Sequence, residues 1–258
     1  MAVNRSSLER WSPWIVLAAI ILVWEVVCRA LHVSDFIFPA PSAILLSLGQ
    51  YAGPISGHAL QTFWTTMAGF AIGVGVGLVL GVIVGSSRLM YTALYPLMVG
   101  FNSIPKAAFV PVLVVWFGIG TVPAIITAFL ISFFPIVVNV ATGLSTIEPE
   151  LEDVMKALGA KKWDILVKIG IPRSMPYLFA SLKVAITLAY VGSVIAESNA
   201  SRYGIGNLIT RASADFNVPL VFAALIALAI LGVIIYAATV ELERRMTGWA
   251  HRSGMSQG

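Results

Sequence analysis

Charge is what this sequence has least of. Only 11% of its 258 residues are Asp, Glu, Lys or Arg, while 59% are hydrophobic; a soluble domain carries roughly 25% charged residues. So little polar surface excludes a water-facing exterior, and a bilayer is the solvent that tolerates the balance. Inside hydrocarbon every backbone group must be satisfied within the chain. The alternating pattern of a membrane barrel is absent, so the class is all-α and polytopic, with spans of about 20 apolar residues. Cysteine is nearly missing too: Cys28 stands alone, which excludes an intrachain disulfide and a cysteine metal cluster. The three histidines, His32, His58 and His251, are scattered. With no H-E-x-x-H and no G-x-S-x-G, neither a metal site nor a catalytic centre is expected. No G-x-x-x-x-G-K-[ST] occurs, and "GVGVGLVLG" at 73–81 follows no strand. The chain is therefore expected to bind no nucleotide or other cofactor, and energy for any work must come from another polypeptide or an ion gradient.

What is present is a series of apolar runs. Six spans can be read, at about 13–32, 60–84, 89–117, 121–144, 174–196 and 218–240, the third interrupted by Pro105 and Pro111. The N-terminus superficially resembles a signal peptide, but Glu25 sits inside its apolar run and no small-x-small cleavage site follows, so an uncleaved first span is expected. With the N-terminus inside, one face collects Arg5, Arg10, Arg88, Lys156, Lys161, Lys162, Lys168, Arg173, Arg244, Arg245 and Arg252. The other collects Arg29, Arg202 and Arg211. Eleven against three is a positive-inside bias, which puts both termini and the 145–173 segment in the cytoplasm.

Two local patterns stand out. In span two, Gly69, Gly73, Gly77, Gly81 and Gly85 recur every fourth residue, a stripe that lets another helix approach closely. Between spans four and five, "DVMKALGAKKWDILVKIGIP" (153–172) is charged and amphipathic. Pro149 suits a first helical position, with Glu148 or Ser145 as cap. Leu151, Val154, Met155 and Leu158 form an apolar stripe, with a Glu152–Lys156 pair on another face. Gly159 ends that helix as a C′ residue. A second amphipathic stretch follows, with an Asp164–Lys168 pair, closed by Pro172. A short helix, a glycine turn and a second helix make a protruding knob, the shape of a docking element.

This segment resembles the "EAA" loop of ABC importer permeases: an acidic residue, a glycine six positions on and a proline thirteen further, here Asp153, Gly159 and Pro172. Glu-Ala-Ala has become Asp153-Val154-Met155. "FPAPSAI" (38–44), "NSIPKAAFVPVLVVWFGIG" (102–120), "FFPIVVN" (133–139) and "ESNASRYGIGNLI" (197–209) are similar to the taurine, sulfonate and nitrate branch, over about residues 36–250. The resemblance implies a type I ABC importer-like permease: one domain over 1–258, its core about 60–241 and its coupling loop about 145–173. It implies a homodimer in the bacterial inner membrane that carries two cytoplasmic ATPase subunits, with Mg-ATP on them. An external solute-binding protein would deliver a small solute, an organic or inorganic anion such as a sulfonate or nitrate. Coupling would fall to Asp153, Val154, Met155, Lys156, Leu158, Gly159, Ala160 and Pro172.

The alternative is an ion-gradient-driven secondary transporter, which needs ionisable groups deep in its spans. Glu25 and Arg29 stand at i, i+4 and neutralise each other. Lys183 can snorkel to the cytoplasmic face, and Glu197 lies at an outer span end. Lys106, beside the break in span three, is left, and one lysine is a poor relay. For the solute path the candidates are the polar residues within spans: Asn102, Ser103, Lys106, Asn139, Thr187 and Ser193. The bland fate of the hydroxyl and amide side chains is a hydrogen bond to a nearby backbone carbonyl.

Overall fold

The computed structural model describes residues 7–145 and 149–247, and among them every regular element is helical. In chain order these are α1 (Ser7–Ala30), α2 (Pro41–Gln50), α3 (Ala52–Gly85), α4 (Arg88–Ser103), a 3-10 turn (Lys106–Phe109), α5 (Val110–Phe117) and α6 (Thr121–Ser145). Then come α7 (Pro149–Ala157), α8 (Lys162–Ile165), a π turn (Leu166–Gly170), α9 (Ile171–Ala200), α10 (Ile205–Ala214) and α11 (Val218–Thr247). Among the described residues five helices are long and apolar enough to span a bilayer, and α4 passes the same test only together with the 3-10 turn and α5, across a break bent by 70°. Five of the six expected spans are each a single long helix; the expected third falls on the bent pair, and α2 and α10 are additional.

The break lies at Pro105 alone. Ile104 before it is extended (ψ 129°), because a following proline disfavours helical backbone. Pro111 does not interrupt: it stands in the first turn of α5, where a missing N–H leaves nothing unpaired.

The centre is α3, α6 and α9, with α6 in the middle. The glycine stripe of α3 faces α6. A Cβ on Gly69 would stand 2.5 Å from Ala128 Cβ, on Gly77 2.8 Å from Ile136 Cβ, and on Gly81 2.7 Å from Val140 Cβ. Such distances leave room for hydrogen only. Lipid is as apolar as leucine, so close backbone approach supplies the association of these helices. A second cluster, Ile44, Ile55, Ile205, Leu208, Leu220 and Ala224, ties α2, α3, α10 and α11 together at the other end of the bundle.

Ion pairs tie side chains within and between helices. Arg29 Nε donates to Glu25 Oε1 at 2.6 Å, the expected pair. The same carboxylate accepts Ser42 N–H at 2.9 Å, capping the first turn of α2. Lys183 meets Glu243 of α11 at 2.9 Å, a partner on another helix that the sequence did not indicate.

Candidate functional site

The knob is built as its sequence requires. α7 starts at Pro149, while Glu148, its expected cap, and the Glu152 side chain lie outside the described residues. At its end Gly159 has φ +80°. Gly159 N–H bonds Lys156 C=O at 2.9 Å and Ala160 N–H bonds Met155 C=O at 3.0 Å. That is the paired 5→2 and 6→1 pattern of a helix stop with glycine at C′, and a Cβ is disfavoured there by its backbone angles alone. Lys156 pairs with Asp153 at 3.4 Å. The restart is capped in reverse, with Asp164 Oδ2 accepting Lys161 N–H at 3.0 Å and Lys168 lying 3.5 Å from Oδ1.

Val154, Leu158 and Trp163 are 57%, 77% and 71% exposed. Met155 and Ala160 are half-buried, and Ile165 and Gly170 are enclosed where the knob meets the bundle. Pro172 does not close the segment. α8, the π turn and α9 run on as one helix, Ile171 N–H reaching back five residues to Leu166 C=O. The π turn adds one residue to a helical turn, and the proline then falls in the first turn of α9.

The elbow of the broken span holds a second group. Lys106 is buried, and its Nζ donates to both Asn102 C=O and Asn102 Oδ1 at 2.6 Å. The carbonyl belongs to the last turn of α4, so the ammonium sits at the negative end of that helix. Of the other path candidates, Ser103, Asn139 and Thr187 each bond the carbonyl four residues back (Val99, Pro135, Lys183) at 2.9–3.0 Å. Ser103 and Thr187 remain exposed and Asn139 is half-buried. Ser193 is fully enclosed, 2.6 Å from Thr65 Oγ1, and offers no surface in this arrangement.

A third cluster escaped the sequence reading. Glu197, near the end of α9, is fully buried. It accepts Thr62 and Thr65 hydroxyls of α3 at 2.7 and 2.8 Å, Ser193 at 3.3 Å and the Gly206 N–H of α10 at 3.4 Å. Thr62 Oγ1 also accepts Ile205 N–H at 2.8 Å, and His58 Nδ1 lies 3.0 Å from Gly204 N. Gly204, at φ +106°, passes so close that a Cβ would overlap the Glu197 carboxyl. The signal was there in principle: one acid in an apolar run, followed seven residues on by Gly204-Ile205-Gly206, and two threonines three apart on span two.

Comparison with known proteins places these features. Residues 73–248 match the family described as binding-protein-dependent transport system inner membrane component. The riboflavin transport system permease protein RibX of Chloroflexus aurantiacus is 30% identical over 91% of this chain and 88% of its own length. The taurine transport system permease protein TauC of Escherichia coli is 26% identical over 90% of this chain and 87% of its own. In fold, the chain is similar to the MetNI methionine ABC transporter in an inward-facing form, with a TM-score of 0.56 at 23% identity, over 74% of this chain and 94% of that one. A family match across two thirds of the sequence, a full-length relative and a shared helical architecture converge: the chain is a multi-pass membrane protein of the binding-protein-dependent transport system inner membrane component family, the permease subunits of ABC importers.

Proposed function

We propose that this permease works as a pair of identical chains in a bacterial inner membrane, with both termini and the 149–170 knob on the cytoplasmic side. Two separate ATPase subunits, holding Mg-ATP, dock on the knobs, and an external binding protein supplies the solute. The observation that carries the reading is the knob itself, which keeps Val154, Leu158 and Trp163 in the open on a rigid, glycine-stopped helix pair. Exposed apolar anchors with a charged rim of Asp153, Lys156 and Lys161 suit a protein partner. Asp153, Val154, Met155, Lys156, Leu158, Gly159 and Ala160 form or support the contact surface; Pro172 stands in the first turn of α9, along the rod that receives the motion.

The solute is proposed to be a small anion that passes the elbow. Lys106 keeps one of its three N–H donors beyond the two given to Asn102. Asn102, Ser103, Asn139 and Thr187 supply the polar lining; Ser193, enclosed against Thr65 of α3, is left out of it. The taurine permease among the relatives favours a sulfonate, whereas the riboflavin permease shows that the same family serves a flavin.

Purification from native membranes tests the assembly: an ATPase is expected to accompany the wild-type chain and to be lost from Leu158→Glu. An ATPase retained equally by both overturns the knob assignment. Uptake of labelled taurine, nitrate and riboflavin tests the solute. For an anion, Lys106→Met is expected to lose most uptake and Lys106→Arg to keep part of it; riboflavin uptake indifferent to both variants removes the anion reading.

A further inference from the structure

The Glu197 cluster has no part in the reading above, yet it is the most enclosed polar construction in the described structure. Each group facing the carboxylate is a hydrogen-bond donor: three hydroxyls and one backbone N–H. Such a shell is made for an acceptor, not for holding a cation. The acceptor is placed at the first turn of α10, where N–H groups have no partner within the helix. Gly206 N–H goes to Glu197, Ile205 N–H to Thr62 and Gly204 N–H faces His58. The cap of α10 is thus assembled from two other helices, α3 and α9. Two glycines allow it: a Cβ on Gly204 would strike the Glu197 carboxyl, and one on Gly206 would strike Val194 C=O. Further bonds follow the same course. Asn207 Nδ2 donates to Ser201 C=O at 2.8 Å, and Thr210 Oγ1 lies 3.3 Å from Ser198 C=O.

At its opposite end, α9 is continuous with the knob through the π turn, as one helical rod from Trp163 to Ala200. Thirty-eight residues at 1.5 Å give it a length of about 57 Å. We infer that Glu197 is a positioning residue for transport: with Thr62 it clamps segment 201–217 to the far end of this rod, so that a displacement of the knob is delivered to the opposite membrane face. The inference rests on the proposed docking of an ATPase at the knob. A buried carboxylate with every bond satisfied gives the tie stiffness, because removing one partner leaves another buried polar group unpaired. Segment 201–217 therefore moves with α9 and α3 and does not follow the solvent as a loose loop.

The test uses the full chain with its copurified ATPase in lipid nanodiscs, as wild type, Thr62→Val, Thr62→Ser and Glu197→Gln. Hydrogen exchange of the 203–208 amides reads the clamp. Exchange in Thr62→Val and Glu197→Gln is expected to be roughly tenfold faster, as loss of a buried hydrogen bond implies, and Thr62→Ser to match wild type. Transmission is read by maleimide labelling of Ser213→Cys in a Cys28→Ser background, with and without ATP and vanadate. The labelling rate should change with nucleotide in wild type and Thr62→Ser, and stay constant in Thr62→Val. A nucleotide-dependent change that persists in Thr62→Val, or is absent from wild type, overturns the inference. If no ATPase copurifies, the docking proposal falls; unaltered exchange in Thr62→Val on the chain alone would overturn the clamp separately.

Discussion

α6 and α4 are both apolar helices of one chain, yet half of the apolar window of α6 is enclosed and no residue of α4 is. α4 is the less apolar of the two, yet much of what it exposes is itself apolar. α4 leaves Leu89, Met90, Leu97 and Phe101 in the open. An apolar hollow of about 260 Å³, lined by Leu80, Leu94, Leu97 and Phe133, remains between it, α3 and α6. The difference lies in fit. α6 meets a glycine stripe that lets side chains seat on bare backbone, whereas α4 presents bulky side chains to α3 and α6. In lipid, apolarity is no reason to be buried; small residues and polar ties decide which helices form the frame and which remain free to meet a partner.

The strongest way to break this contrast is to spoil the seam. Gly77→Leu would drive a side chain into Ile136, whose Cβ would already lie 2.8 Å from an added Cβ. Overpacking of this kind costs about 3 kcal/mol, and a marked loss of melting temperature and of membrane-folded protein is expected in detergent thermal-shift assays. Next comes the exposed knob. Gly159→Val forces a β-branched residue to φ +80°, at about 1–2 kcal/mol, in a segment outside the frame. Melting should barely move while ATPase retention on purification falls about tenfold; an unfolded bundle instead would mean that the knob belongs to the frame. At the elbow, Asn102→Ala removes one of two acceptors from Lys106 and keeps the backbone carbonyl. A loss of about 1 kcal/mol is expected, seen as a small shift in melting and a larger one in uptake. The smallest effect sharpens the comparison. Gly75 lies in the same helix as Gly77 with nothing within 4 Å of its would-be Cβ, so Gly75→Ala should melt no lower than wild type, since alanine is the better helix former.

The spans, the glycine stripe and the Gly159 stop were legible because each is a local or periodic property: runs of apolar residues, a repeat of four, one glycine after an amphipathic turn. Asp164–Lys168 and Glu25–Arg29 were legible for the same reason, being i, i+4 neighbours. Long-range pairings were hidden. Glu197 looked like a residue at a membrane edge because its partners Thr62 and Thr65 lie more than 130 positions away. Lys183 gave no sign of its partner because Glu243 is on another helix. Pro172 was misread since a π turn carries no sequence signature that distinguishes it from an ordinary helix end. Pro111 was misread through position: a proline stops a helix from inside and starts one from its first turn.

That π turn holds a surplus. It takes one residue more than an α turn needs for the same arc, so residues 166–170 absorb a single helical step, about 100° of phase, that an unbroken α-helix would pass on to the knob. Deleting one residue there should let the turn close as ordinary α-helix and leave Leu158 and Trp163 on the same bearing around the rod, whereas inserting another would swing them away. Aim, in this protein, is protected by a slack turn.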